Sequence, residues 1–134
     1  MSIEANKRLV REAYQAVSAG DVEGFLGRLA DDARWTMYGT HRFARTFSGK
    51  ADILANLFGP LGETLAGGIV IELSNLVAEG DVVVVEARGK SATKTGGTYN
   101  NTYCNVLTLR NGKIAEVREY LDTELVTKVF GPLA

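Results

Sequence analysis

Between residues 3 and 18, apolar side chains at Leu9, Val10, Ala13, Tyr14 and Val17 recur at the spacing of one helix face, with Lys7, Arg8, Arg11, Glu12 and Gln15 opposite. The pattern predicts an amphipathic helix that Gly20 ends. Asp21 is placed to cap a second helix, whose stripe of Val22, Phe25, Leu26 and Leu29 carries it to Ala30. From Ala33 to Tyr38 the pattern alternates, and Trp35 and Thr36 favour a short strand. An irregular stretch runs through Thr40, His41 and Phe47. Ser48 then caps an expected third helix from Lys50 to Leu57 or beyond, interrupted near Gly59-Pro60.

Downstream the period shortens to two. Ile69 to Val77, Val82 to Thr93, Thr98 to Leu109 and Lys113 to Leu121 are expected strands, joined at Glu79-Gly80-Asp81, Thr95-Gly96-Gly97 and Arg110-Asn111-Gly112 by residues that tolerate tight turns. Such short links make neighbours antiparallel. Asp122 is placed to cap a last helix through Leu125, Val126 and Val129, which Gly131-Pro132 stops. Helices first and a meander afterwards predict an α+β fold with helices laid on one face of a curved sheet. Val82 to Val85, and Val106, Leu107 and Leu109, put apolar residues on both faces of the central strands, so the outer face also needs a cover. A homodimer through that face is the expectation.

Strand parity nominates a site. The helix-facing set is expected to hold Trp35, Met37, Glu86, Arg88, Tyr103, Asn105 and Glu119, an apolar cup with an acid, a cation and neutral hydrogen-bonding groups. Glu119 reads either as a general acid or base raised by apolar surroundings, or as the salt-bridge partner of Arg88. Glu86 faces the same choice. Trp35 serves best as a wall, while Tyr14 and Tyr103 are phenols that need a partner, for which a ligand oxygen is one candidate. His41 is expected at the surface, and Arg42 and Arg45 either attract an acidic ligand or hydrate a loop. Asp31 and Asp32 are assigned to solvation or a turn, and Asp122 to its cap.

Composition narrows the partners. The 134 residues carry 15 basic and 16 acidic side chains, a net charge of −1 that supplies no basic footprint for nucleic acid. No apolar run is long enough for a membrane helix. A size suited to a single domain, spanning 1–134, leaves room for one core and one pocket. One Cys and one His exclude an internal disulfide and a zinc site, and the polar start from Ser2 is no secretory signal, so a reducing cytoplasm is the expected location. Ser48 lacks a nucleophile elbow, and Gly49-Lys50 lacks the glycine of a phosphate loop. No metal or cofactor is expected.

Several short words in fixed order carry a resemblance: Ser18-Ala19-Gly20-Asp21, Leu29 to Ala33 followed by Trp35, Gly49 before a helix, Glu79-Gly80-Asp81, Tyr99-Asn100-Asn101, Asn111 to Ile114, and Arg118 to Asp122. The chain resembles the SnoaL-like, ketosteroid isomerase-related branch of the NTF2-like superfamily over nearly its whole length. The resemblance implies a cone of curved sheet and helices around an internal pocket, commonly dimeric. The superfamily hosts isomerases, polyketide cyclases, epoxide hydrolases, dehydratases and binders without activity. The catalytic aspartate of ketosteroid isomerases falls on Met37, their second acid on Asn105 and their tyrosine on Ala13, beside Tyr14, which argues against steroid isomerisation. Against limonene epoxide hydrolases, the third-strand arginine and aspartate fall near Glu86 and Arg88, the last-strand aspartate on Glu119, and the water-positioning tyrosine and asparagine on Trp35 and Met37. Such a resemblance implies a cofactor-independent isomerase, cyclase or hydrolase of a small apolar substrate. Its expected catalytic groups are Glu119, Arg88 and Asn105, with Asn105 and Tyr103 steadying an oxyanion, and its expected substrate contacts are Tyr14, Trp35, Met37, Glu86 and Tyr103. The alternative is a non-catalytic ligand-binding or dimeric adaptor domain.

Overall fold

The computed structural model describes residues 2–132. Helix α1 spans Ile3–Ser18, and Ser2 caps it, its Oγ accepting the Ala5 N–H at 3.1 Å. The apolar stripe read from the sequence buries Val10, Ala13 and Tyr14. Asp21 caps α2, Val22–Leu26, through the Gly24 N–H at 2.9 Å. That helix ends before Ala30, because Leu29 already pairs with Ile114 as the first residue of strand β1, Leu29–Met37. A short β2, Thr46–Ser48, lies antiparallel beside it.

Ser48 is therefore strand, not a helix cap. Its N–H donates to Asp52 Oδ2 at 2.8 Å, and Gly49, at φ +88°, makes the corner where a side chain would be strained. After α3, Lys50–Asp52, the backbone widens to a π-helix over Ile53–Phe58 and resumes as α4, Gly59–Thr64, with Pro60 in its first turn. The expected interruption at Gly59-Pro60 is thus a widened turn just upstream, since Pro60 has no N–H with which to continue the ladder.

The meander β3 (Leu65–Glu79), β4 (Val82–Thr93), β5 (Thr102–Arg110) and β6 (Lys113–Leu121) is antiparallel throughout, and α5 follows at Thr123–Phe130. Residues 98–101, expected as strand, make only an isolated bridge at Thr98 before β5 begins at Thr102. The six strands form one curved, unclosed sheet in the order β2-β1-β6-β5-β4-β3, in which β1 runs parallel to β6. That parallel pair follows from the helices between β2 and β3, which send the chain to the far edge before it returns. Among the described residues no helix is long and apolar enough to cross a membrane.

Register decides the faces. Val83, Val85 and Ala87 pair with Leu107, Asn105 and Tyr103, and all six are buried against the helices. A bulge leaves Ala115 unpaired between Ile114 and Glu116, so that Ile114 faces inward with Val117 and Glu119 although strict alternation along β6 would put it with Arg118 and Tyr120.

Candidate functional site

The inner face of β1, β5 and β6, closed by α1, α2 and the π-helical turn, encloses a cavity of about 80 Å³. Its walls are mostly apolar. Phe25, Trp35 and Phe58 form an aromatic corner with centroids 5.5–6.0 Å apart. The polar atoms come from Tyr14, Tyr99, Tyr103, Asn105 and Glu119. The structure thus brings Trp35, Met37, Tyr103, Asn105 and Glu119 together, as expected from parity, and adds Tyr14 from α1.

Glu86 and Arg88 are corrected. They alternate with Val85, Ala87 and Gly89, which face inward, so both are exposed on the outer face opposite Cys104 and Thr102. Glu86 Oε1 accepts from Asn75 Nδ2 at 3.0 Å. Arg88 therefore neither lines the pocket nor sets the charge of Glu119.

Glu119 pairs across the strand with Asn105, and only 7% of it is exposed. Among the described residues it has no ion pair. Its hydrogen bond is to Asn105, whose Nδ2 donates to Glu119 Oε1 at 3.3 Å and to the Tyr14 hydroxyl at 2.7 Å. Burial pushes the carboxyl up from 4.5 to about 7, and the Asn105 N–H restrains the rise. Such a group is half ionised near neutrality, the condition in which it can both take and return a proton. Both amide hydrogens of Asn105 are thus engaged, one by Glu119 and one by the Tyr14 hydroxyl.

Burial keeps the phenols protonated. Tyr14 is pushed well above its ordinary value, Tyr103 further still, and Tyr99 to about 12, so all three serve as neutral hydrogen-bonding groups. Tyr103 lies over Gly89, where an added Cβ would come within 3.0 Å of its ring. Asn101 Nδ2 donates to the Tyr99 hydroxyl at 3.0 Å. Asn101, 1% exposed, also accepts from the Thr102 and Asp122 N–H groups and donates to the Asp122 carbonyl.

Residues outside the strands carry weaker signals. Tyr99 and Asn101 were legible only as part of a recurring word, although a Tyr-x-Asn spacing brings an amide beside a phenol. Phe43, Phe58 and Leu61 carried no such signal. His41 is corrected from surface to interior: its Nε2 meets the Tyr38 carbonyl and its Nδ1 accepts the Phe43 N–H, both at 3.1 Å, and burial lowers its pKa. Arg45 pairs with Asp52 at 2.7 Å and stacks on Phe47, and Arg42 donates to the Phe130 carbonyl, so neither arginine faces the cavity. Asp31 and Asp32 are exposed on β1 and pair with Lys50 and Arg110, while Asp122 caps α5 through Leu125 as expected. No cluster of metal-ligating side chains occurs among the described residues.

Comparison with known proteins adds a frame to this geometry. Residues 10–117 match the SnoaL-like domain model. An uncharacterised protein of Mycobacterium tuberculosis is 23% identical over 130 residues, 97% of this chain and 98% of the relative. An NTF2-like protein of unknown function from Burkholderia pseudomallei superposes with a TM-score of 0.84 at 22% identity, covering 97% of this chain and 98% of that one. A Jannaschia protein assigned as a SnoaL-like polyketide cyclase superposes with a TM-score of 0.80 at 19% identity, covering 98% and 95% of the two chains.

Proposed function

The chain belongs to the SnoaL-like family of NTF2-like proteins, and from that premise we propose that it is an acid–base isomerase or cyclase of small, mainly apolar carbonyl compounds. One observation carries the reading: a carboxyl group, Glu119, stands buried at an apolar cavity with no cation beside it among the described residues and titrates near 7. Ionised Glu119 takes a proton from the carbon next to a carbonyl, and the electron pair left behind becomes an enolate. The neutral phenol hydroxyls of the cavity wall, from Tyr14, Tyr99 and Tyr103, are the donors available to the oxygen on which that charge develops. Where a carbon–carbon double bond is conjugated with that enolate, the protonated carboxyl returns the proton to the far carbon of the double bond, giving an isomer. If instead the enolate carbon attacks a second carbonyl of the same molecule, the proton goes to the new alkoxide and a ring is closed. Neither route consumes an external reactant. Asn105 positions the base, and Met37 and the aromatic corner keep water from competing with the carbon acid.

The test is deuterium uptake by 2-tetralone in heavy water, followed by NMR. The expected result is exchange at the carbons flanking the ketone, faster than in buffer alone, with a rate that rises with pH to a plateau above about 7, where the carboxylate form dominates. A rate equal to the buffer rate at every pH would overturn the catalytic reading and favour a binding protein.

We also propose a homodimer through the outer sheet face. Val84 and Val106 are only half-buried there, and Tyr38 and Tyr120 stack in the open with centroids 4.8 Å apart. Light scattering should give twice the chain mass of 14.4 kDa, and Val106→Glu should return it to one. A wild-type mass of one chain would remove the dimer.

A further inference from the structure

His41, the only histidine, is 4% exposed and takes no part in the chemistry proposed above. Its partners fix its proton. The Phe43 N–H donates to Nδ1 at 3.1 Å, so Nδ1 carries a lone pair and no hydrogen. Nε2 then bears the one hydrogen of the neutral ring and donates it to the Tyr38 carbonyl, also at 3.1 Å. Both ring nitrogens are thus engaged within residues 38–45, the link between β1 and β2. A second proton has only Nδ1 to go to, and there it would point one N–H at another. The imidazolium does not fit this arrangement. The ring also has little room to turn in place, since an added Cβ at Gly39 would come within 3.1 Å of its Cδ2 and 3.0 Å of Thr123 on α5.

The ring holds a panel of the cavity wall. Phe43 lines the cavity and packs edge to face on Phe130 of α5, centroids 5.3 Å apart, and Phe130 packs likewise on Tyr99, another wall residue, at 4.9 Å. Arg42 ties the same link to the Phe130 carbonyl at 3.0 Å. The charged groups on these elements all have other partners: Arg45 pairs with Asp52, Glu119 of β6 accepts from Asn105, Asp122 caps α5, and Glu124 pairs with Lys128. The phenols of Tyr38 and Tyr99 are raised and stay neutral. Only burial, which lowers the imidazole from 6.5, and the Tyr38 carbonyl, which opposes that, act on the ring.

We propose that His41 is an acid-released latch: protonation of Nδ1 expels the Phe43 N–H, frees residues 38–45 from α5 and opens the cavity beside Phe43. The latch regulates access to the site proposed above and rests on the cavity of that reading, not on its proton transfer. Neutral His41 keeps the wall shut, and the imidazolium, turned toward water, lets it open.

Trp35, the only tryptophan and a wall residue, reports the opening without any ligand. Acrylamide quenching of its fluorescence should rise about threefold as pH falls from about 8 to about 4.5, with far-ultraviolet circular dichroism unchanged. The midpoint should match that of the single imidazole signal in proton NMR and lie below 6.5. Over the same range the Phe43 N–H should shift and exchange with water about tenfold faster. His41→Asn offers an amide oxygen to the Phe43 N–H and takes up no proton, so its quenching should stay at the level of neutral pH. Glu119→Gln should retain the rise and its midpoint. A rise that Glu119→Gln abolishes, a rise that His41→Asn shares, circular dichroism lost in step with it, or an imidazole that titrates while Phe43 and Trp35 stay unchanged would each overturn the latch. The wild-type signals decide the matter where a variant does not fold. A missing deuterium exchange in 2-tetralone removes the catalytic reading alone, and a Trp35 signal blind to acid removes the latch alone.

Discussion

Glu119→Gln should slow proton exchange by a factor of about 10² to 10⁴ and, at pH 8, leave a more stable protein. The loss comes from chemistry: the amide keeps the shape and the contact with Asn105 but has no basic oxygen. The gain comes from linkage. The folded carboxyl titrates at about 7 against 4.5 for an ordinary one, so between those values the native state binds more protons than the unfolded chain. Wild-type stability therefore falls as pH rises through that window and levels off above it. At about 1.36 kcal/mol per pH unit, the ionised carboxyl costs roughly 3 kcal/mol by pH 8. The Gln variant lacks this slope. Urea denaturation of both proteins at pH 4.5 and pH 8 reads the difference, which should be small at the lower pH and large at the higher. A gap independent of pH would mean that the carboxyl titrates normally, and undiminished exchange would remove it from the chemistry.

The second large effect lies outside the cavity, at Asn101. Its side chain closes four hydrogen bonds of 2.7–3.1 Å: to the Tyr99 hydroxyl, to the Thr102 N–H, and to the N–H and carbonyl of Asp122. Asn101→Leu keeps the volume and leaves those groups without partners in the interior. The expected loss is about 3–5 kcal/mol, since each orphaned buried group costs about 1–3 kcal/mol and some regain water. Melting should drop by more than about 10 °C. Binding of 2-tetralone should weaken as well, because the knot fixes Tyr99 at the cavity and the strand end from which α5 departs. A melting temperature within about 2 °C of wild type would show that water replaces the amide without penalty.

The sequence exposes some of this and conceals the rest for a physical reason. Helix α1 was legible because charged and apolar residues contrast around its circumference, and the β4–β5–β6 hairpins because Asp81, Asn111 and their glycines punctuate the runs. The parity of β6 put Glu119 on the correct side. That of β4 did not yield, since Val82 to Val85 present the same side chain in both directions and carry no phase. Only the pairing of Val85 with Asn105 and of Ala87 with Tyr103 settles that Glu86 and Arg88 face outward. The same lack of contrast hid the start of β1, where Leu29 and Ala30 complete a helical stripe and yet join a sheet. His41 and Asn101 were illegible as interior residues because their burial rests mainly on backbone partners, three of the four in the case of Asn101, and partners of that kind leave no mark in residue type.

The unpaired Ala115 has a consequence for how such chains change over time. It is an extra residue between two consecutive pairs of the ladder, Leu109 with Ile114 and Thr108 with Glu116, upstream of the half of β6 that bears the carboxylate. Losing that one codon would leave a regular ladder with Glu119 still opposite Asn105, whereas losing Val117 or Arg118, with the bulge in place, would turn the carboxylate to the outer face. The place of a frame-preserving deletion, more than its size, would thus separate working relatives from silent ones.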